Sequence, residues 1–277
     1  MMDENLKKEI IDFAREMRIT ELNMFAEFGS GHIGGALSMT DLLAVLYQSV
    51  MKYDSKNPEW KERDRLVVSK GHGGPAVYAA LALKGFFPVE MLGTLNRGGT
   101  NLPSHCDRNR TPGIDMTTGS LGQGASAAAG IAETLKATGQ QVYLILGDGE
   151  CQEGQVWEMA LYAAHRKLHN LTAFVDRNRK QLDGYVEEIM PLGDLEAKFT
   201  AFGWNVITVD GHDVEALYQA IAEIKMEKQR PSAVIMNTIK GKGAAFVENE
   251  KYNHHLAVSK EQAQEAINQL IAEVEHV

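Results

Sequence analysis

Two residues with oxygen-bearing side chains, Asp148 and Asn178, each follow a short apolar run, at 142–146 and 171–176. These runs flank a helical segment and predict a strand–helix–strand unit. The right-handed crossover of such a unit makes its strands parallel, so that their carboxyl ends share one edge of the sheet. We expect both side chains to meet at that edge, where open α/β sheets bind their ligands.

One carboxylate and one amide oxygen supply part of a coordination shell for Mg²⁺, which usually completes its octahedron with water and phosphate oxygens. Gly147 and Gly149, on either side of Asp148, let a phosphate approach the backbone, and the helix that follows favours an anion at its start. The pattern therefore predicts a metal that holds a phosphorylated cofactor. Taken singly, each residue fits an ordinary turn equally well.

Histidines in irregular, glycine-flanked segments form a second group of candidates. Such imidazoles have no regular packing face to fill, and near neutral pH they can donate to phosphate or sugar hydroxyl groups and move protons. A lone histidine is more often structural, which leaves that alternative open. The candidates are His32 in SGHIGG, His72 in KGHGGP, His105 in LPSHCD, and His254 and His255 in KYNHHL.

The elements that must position these residues alternate along the chain. This alternation predicts an α/β fold, a parallel β-sheet with helices on both faces. An amphipathic helix is expected over 1–28, and a second over 38–51 with Ser38 as its N-cap. The last helical segment, 259–277, is expected on the outside of the fold. Predicted strands lie at 65–69, 142–146, 171–176, 204–209 and 233–238, and predicted helices at 75–84, 123–138, 154–169 and 213–228.

Length and composition narrow the class of protein. The 277 residues are 44% hydrophobic and carry a formal net charge of −9, which disfavours nucleic acid as a partner. With only 2 Cys and a charged N-terminal segment, the cytoplasm is the expected compartment. The most apolar helical window, 42–51, is far shorter than the roughly 18 residues of a membrane span. Without a linker or repeat, we predict one domain over 1–277.

A dinucleotide-dependent oxidoreductase is an alternative of a different class. The segment 29–35 formally satisfies G-x-G-x-x-G, but a predicted helix precedes it where that motif requires a strand. The segment after Leu146 does follow a strand, yet it has Gln152 where the third glycine is needed. The alternative is therefore the weaker one.

The residues together resemble a known family. GDG at 147–149 followed by Asn178 resembles the thiamine diphosphate motif, and SGHIGG, KGHGG, TTGSLGQG and TIKGKG occur in the order seen in the transketolase N-terminal region. The resemblance covers nearly the whole chain and implies the thiamine diphosphate-binding fold, the PP module. It identifies the chain as the N-terminal, diphosphate-binding subunit of a split two-chain transketolase.

The resemblance also implies roles for particular residues. Ligands of Mg²⁺ or Ca²⁺ would be the side chains of Asp148 and Asn178 and the backbone carbonyl of Lys180. Cofactor contacts would come from His72, Gly149 and the turn of Gly119, Ser120 and Leu121. The ketose donor would face His32 and His105, with His254, rather than His255, between diphosphate and substrate. Arg177 and Arg179 beside Asn178, and Ser120 in place of a common proline, depart from the family pattern.

The expected reaction is transfer of a two-carbon ketol unit from a ketose, often a phosphate, to an aldose. The pyrimidine-binding domain of the family would have to come from a separate C-terminal subunit. We therefore expect the chain to be inactive alone and active in an A2B2 heterotetramer. Alternatives within reach are the alpha chain of a thiamine diphosphate-dependent 2-oxoacid dehydrogenase and a catalytically inactive binding subunit.

Overall fold

A five-stranded parallel sheet forms the centre of the computed structural model, which describes residues 2–272. Its strand order is β2-β3-β4-β8-β7, and β1 pairs with β9 and β5 with β6 in two small antiparallel ribbons. The bounds are β1 Ser30–Gly31, β2 Arg65–Val68, β3 Val142–Gly147, β4 Leu171–Arg177, β5 Lys180–Gln181, β6 Gly184–Tyr185, β7 Asn205–Asp210, β8 Ser232–Asn237 and β9 Leu256–Ala257.

Helices cover both faces of the sheet, as the alternating pattern predicts. One apolar core packs α1, α4, α9 and α11 against one face, and a second packs α5, α6 and α8 against the other. The helices are α1 Glu4–Phe28, α2 Ile33–Leu37, α3 Thr40–Val45, α4 Gly74–Leu83, α5 Gln123–Leu135, α6 Gly154–His165, α7 Val186–Ile189, α8 Leu195–Ala201, α9 Val214–Ile224, α10 Ala245–Glu248 and α11 Lys260–Ala272.

Each predicted strand and long helix is present, within a few residues of its expected bounds, apart from the segment at 38–51. The first helix begins at the Asp3 cap, whose carboxylate accepts from the N–H groups of Asn5 and Leu6, and ends at Gly29, where φ is 93°. The final helix is described as far as Ala272, so residues 273–277 of the prediction lie outside the described part. A membrane-spanning helix is absent from residues 2–272.

The prediction of one helix over 38–51 is wrong. Ser38 ends α2 instead of capping a helix, α3 begins at Thr40, and the chain continues as a π-helix over Leu46–Val50. The hydroxyl of Ser38 donates to Asp176 Oδ2 at 2.6 Å. The sequence pattern predicted that the Ser38 hydroxyl caps a helix. It instead donates to Asp176, a buried carboxylate that is distant in the sequence.

The ribbon of β1 and β9 joins two segments from opposite ends of the chain. Ser30 pairs with Ala257 and Gly31 with Leu256. Beside this ribbon, the N–H of Gly241 donates to the carbonyl of Gly34 at 3.0 Å. The glycine-rich segment after α1 is therefore held against the last third of the chain. We call the ribbon and this contact the clasp.

Candidate active site

A cavity of about 210 Å³ opens at the carboxyl edge of β2, β3 and β4. Most of the residues that the sequence singled out line it, although they come from six separate segments of the chain. Ser120, in the same turn as Gly119, is exposed and lies outside the lining, as do His32 and His255. The lining includes His72, His105, Gly119, Leu121, Asp148, Gly149, Asn178, Lys180 and His254, together with Lys70, Gly147, Glu150, Gln181, Leu182 and Lys240.

Asp148 lies directly after β3 and is buried, with 3% of its surface exposed. Its carboxylate accepts from the backbone N–H of Gly149 at 2.8 Å and of Arg179 at 2.5 Å. Burial, and next the charge of Asp176, raise the pKa of Asp148 to about 6 despite these hydrogen bonds. A buried carboxylate with a raised pKa is stabilised by a cation, which makes Asp148 a suitable metal ligand.

Asn178 follows β4, and a buried network fixes its orientation. Its Nδ2 donates to Asp176 Oδ2 at 3.0 Å, which leaves Oδ1 as the acceptor end of the amide. Asp176 is fully buried and also pairs with Lys70 and accepts from the hydroxyl of Thr238. Burial alone would raise the pKa of Asp176, but the Lys70 charge and the hydrogen bonds outweigh it and hold the pKa below its ordinary value.

Lys240 brings a second buried ammonium group to the cavity. Its Nζ donates to the backbone carbonyl of Lys180 at 2.9 Å and lies 3.3 Å from Nδ1 of His254. Burial, and next the charge of Lys70, lower the pKa of Lys240 to about 8. Two cationic side chains at the wall of one small cavity favour an anionic ligand.

Glu150 joins three loops around the cavity. Its carboxylate accepts from the hydroxyl of Ser69 and from the N–H groups of Gly122 and Gly147, the last two at 2.8 and 3.1 Å. The turn before α5 is thereby held close to the end of β2. At Gly71 the approach is so tight that a Cβ would lie 2.6 Å from the backbone carbon of Thr118. Only glycine fits there.

The five candidate histidines form one cluster around His32. Its ring centroid lies 5.8 Å from that of His72, 5.2 Å from those of His105 and His254, and 4.9 Å from that of His255. Burial, and next the nearby imidazoles or lysines, lower the pKa of His32 to about 4 and that of His254 to about 3. These rings are therefore neutral at physiological pH and can both donate and accept hydrogen bonds.

The donor set fits a metal that carries a diphosphate. Within residues 2–272, no three histidine, cysteine or carboxylate side chains converge as a metal site. A cation here would instead rest on the buried carboxylate of Asp148, the amide oxygen of Asn178 and oxygens of the ligand, a combination typical of Mg²⁺. The ammonium groups of Lys70 and Lys240 suit the negative charge of the phosphates.

Sequence reasoning missed four residues of this site, namely Lys70, Glu150, Asp176 and Lys240. A signal was present for Asp176, because a carboxylate at the end of an otherwise fully buried strand needs a partner. Lys70, two residues after the end of β2, was a candidate for that partner.

Cys151, three residues after Asp148, has a buried thiol. Burial raises the pKa of this thiol well above the ordinary value, so we do not assign it a chemical role.

Comparison with known proteins identifies the fold and the family. The family model described as the thiamine diphosphate binding domain of transketolase matches residues 7–274. The chain belongs to the transketolase family. The transketolase of Leishmania mexicana has a structure that superposes with a TM-score of 0.89 at 32% identity, covering 96% of this chain and 41% of that one. The predicted fold class and family are thus confirmed.

Several proteins similar to this chain are named as transketolase subunits. The 6-deoxy-6-sulfo-D-fructose transketolase subunit SqwG of a Clostridium species is 52% identical over 259 residues, 93% of this chain and 94% of that one. An apulose-4-phosphate transketolase subunit of Phocaeicola vulgatus is 37% identical over 89% of this chain and 88% of its own length. Human transketolase is 35% identical, but the chain spans only 44% of it. The chain therefore corresponds to one subunit of a transketolase.

Proposed function

We propose that this chain is the N-terminal subunit of a split transketolase, which transfers a two-carbon ketol unit from a ketose to an aldose. The observation that carries the proposal is the buried pair of strand ends, where Asp148 and Asn178 share one cavity with His72, His105 and His254 of the histidine cluster. The family match over residues 7–274 supports the same assignment. Residues 1–277 act as one thiamine diphosphate-binding domain.

The chain binds the cofactor through its metal and its diphosphate. Asp148, Asn178 and the carbonyl of Lys180 hold Mg²⁺ or Ca²⁺, and Lys240 also donates to that carbonyl. His72 and Gly149 contact the diphosphate. The turn of Gly119, Ser120 and Leu121, held in place by Glu150, lies against the rest of the cofactor.

Thiamine diphosphate, when bound, supplies the stabilisation of a carbanion that breaking a carbon–carbon bond of the ketose requires. The residues of this chain bind and orient the sugar. His32 and His105 face its reacting hydroxyl groups, and His254 lies between diphosphate and substrate. Because burial keeps these imidazoles neutral, each can donate one hydrogen bond to a sugar hydroxyl group and accept another.

The active assembly contains a second subunit that binds the pyrimidine end of the cofactor, in a heterotetramer with two copies of each chain, located in the cytoplasm. Support comes from relatives named as subunits. An exposed apolar side chain in the lining of the cavity suits such a partner: Leu182 is 63% exposed.

The donor is a ketose with an anionic terminal group. The 52% identity to a 6-deoxy-6-sulfo-D-fructose transketolase subunit makes that sulfonated sugar the first donor to test, and the apulose-4-phosphate subunits make a sugar phosphate the second.

Reconstitution tests the function. The tagged chain is purified alone and together with the chain that copurifies with it, and each sample receives thiamine diphosphate, Mg²⁺, a donor and an aldose. We expect ketol transfer only with both chains. Transfer by the single chain would contradict the split-site proposal, and a two-chain sample that binds thiamine diphosphate but transfers nothing from either donor would contradict the activity.

A further inference from the structure

We infer that His255 contacts the sugar substrate and helps to determine which donor is accepted. The inference rests on the proposed transketolase activity and deepens it, since it concerns the part of the sugar beyond the reacting carbons. His255 is the member of the histidine cluster that the expected roles leave unassigned.

The register of the clasp places His255 next to His32. In this antiparallel pair, Ser30 lies opposite Ala257 and Gly31 opposite Leu256, so the next position of each strand brings His32 opposite His255. The two rings meet edge to face, at a centroid distance of 4.9 Å and an interplanar angle of 88°. His255 directly precedes β9 and His32 directly follows β1, so the ribbon holds the two residues next to each other.

Burial orders the cluster from the inside outwards. His254 is half-buried, lines the cavity and contacts the ammonium of Lys240, whereas His255 is exposed. His32 contacts both rings. His255 is the only exposed imidazole of the five described in this cluster and is therefore its outermost member.

This order matches the shape of the substrate. A ketose reacts at its carbonyl and the neighbouring carbons, which must lie near the cofactor, so that its remaining carbons extend towards the mouth of the cavity. A chain of hydroxyl groups that passes His32 next reaches His255. No side chain within residues 2–272 hydrogen-bonds to the His255 ring, and both of its nitrogens are available to hydroxyl groups of the sugar.

Two variants of the reconstituted two-chain enzyme test the inference. His255→Ala removes the contact, and His255→Gln keeps a donor and an acceptor of similar reach. The matched control is His165→Ala, an exposed histidine at the far end of α6 from the site. Steady-state kinetics are measured with a sugar donor of five or more carbons and with hydroxypyruvate, a three-carbon donor that has no hydroxyl groups beyond the cleaved bond. Thiamine diphosphate affinity is measured separately.

For His255→Ala we expect a rise of about tenfold in KM for the long donor, the effect of losing one hydrogen bond. We expect KM for hydroxypyruvate, kcat and thiamine diphosphate affinity to change less than about twofold, and His255→Gln to recover part of the loss. An unchanged KM for the long donor would overturn the inference, as would an equal loss with both donors. A wild-type complex without activity would instead overturn the proposed function.

Discussion

The carboxylate of Asp148 accepts a hydrogen bond of 2.5 Å from the backbone N–H of Arg179, the residue directly after Asn178. The bond joins the tip of β3 to the tip of β4. Arg179 makes it from a left-handed conformation, with φ of 63°, which is uncommon for a residue other than glycine. The backbone turn after Asn178 therefore places the Arg179 N–H against the carboxylate of Asp148. The two side chains proposed as metal ligands, those of Asp148 and Asn178, consequently lie at the same edge of the sheet.

Loss of the carboxylate should strongly weaken metal-dependent cofactor binding. For Asp148→Asn we expect the affinity for thiamine diphosphate in Mg²⁺ to fall by at least about 100-fold, because even indirect partners of metal ligands contribute about 10–100-fold. Isothermal titration calorimetry measures it. The control is Asp210→Asn, the same change at the end of the edge strand β7, where wild-type affinity is expected. Equal affinities for wild type and Asp148→Asn would refute the metal site.

Cofactor affinity should fall in acid. The pKa of Asp148 is raised to about 6. As pH falls below 6, a growing fraction of the protein carries a protonated Asp148, which must lose its proton before it can bind a metal. We expect affinity to decrease by up to about tenfold for each unit below pH 6. Because the pKa of His32 is about 4 and that of His254 about 3, these rings stay neutral over this range.

The phosphates of thiamine diphosphate also titrate, and this effect on affinity is the same for wild type and Asp148→Asn. The difference between their pH profiles therefore isolates the contribution of the carboxylate. Parallel profiles from pH 8 to pH 5 would show that Asp148 does not compete with a proton.

Breaking the buried pair of Lys70 and Asp176 should destabilise the fold. Lys70→Met leaves the Asp176 carboxylate without its cation, and we expect the free energy of unfolding to fall by about 3–5 kcal/mol. Adding Asp176→Asn should restore much of it, which urea unfolding measures. Lys251→Met, at an exposed pair with Glu188, is the control and should cost less than about 1 kcal/mol. A double variant no more stable than Lys70→Met would show that the two side chains are not coupled.

Stability should depend on pH through Glu21. Its carboxyl group is fully buried, Oε1 accepts from Thr40 at 2.9 Å, and burial raises its pKa to about 8. Between about pH 4.5 and 8, Glu21 is ionised in the unfolded chain but protonated in the folded chain. As pH rises through this range, the contribution of Glu21 to the free energy of unfolding therefore falls by up to about 1.4 kcal/mol per pH unit.

Replacing Glu21 by Gln removes that contribution. Relative to wild type, we expect Glu21→Gln to be more stable at pH 8 than at pH 5 in urea unfolding. Glu90→Gln, at an exposed position, should show no such difference. The hypothesis fails if the Glu21→Gln effect is the same at both values.

A single methyl group should open the clasp. A Cβ at Gly34 would collide with the carbonyl oxygen of Asn253 and approach Lys240 Cγ to 3.1 Å. For Gly34→Ala we expect about 1–3 kcal/mol of lost stability together with weaker thiamine diphosphate binding, because the segments of His32 and His254 are forced apart. Gly93→Ala, where a Cβ meets nothing within 4 Å, should stay within about 0.5 kcal/mol of wild type. Similar results for both variants would argue against close packing at Gly34.

Local patterns were sufficient to predict the sheet and the placement of Asp148 and Asn178. Apolar runs such as those of β3 and β4 are buried on both faces, and the handedness of the crossover then determines which ends meet. The glycine-flanked histidines were also recognisable, because irregular backbone offers them no packing role. The strands and the glycine-flanked histidines can both be recognised from residues that are close together in the sequence.

The support around the metal ligands could not be found in the same way. Lys70 pairs with Asp176 across 106 residues, and the hydroxyl of Ser38 reaches that carboxylate across 138. Such partners are selected by the packing of the complete fold. A charged residue beside a buried strand indicates that a partner exists, but the sequence alone does not say which residue it is.

The clasp has a consequence for how the protein is made. Its two strands are separated by more than 220 positions, so a growing polypeptide exposes His32 early while the segment that must cover it is still unsynthesised. The segment that carries His254 and His255 is synthesised after all five strands of the parallel sheet. A chain that stops short of residue 250 contains Asp148 and Asn178 but lacks two members of the histidine cluster around His32. Translation must therefore pass residue 255 before the cluster can form.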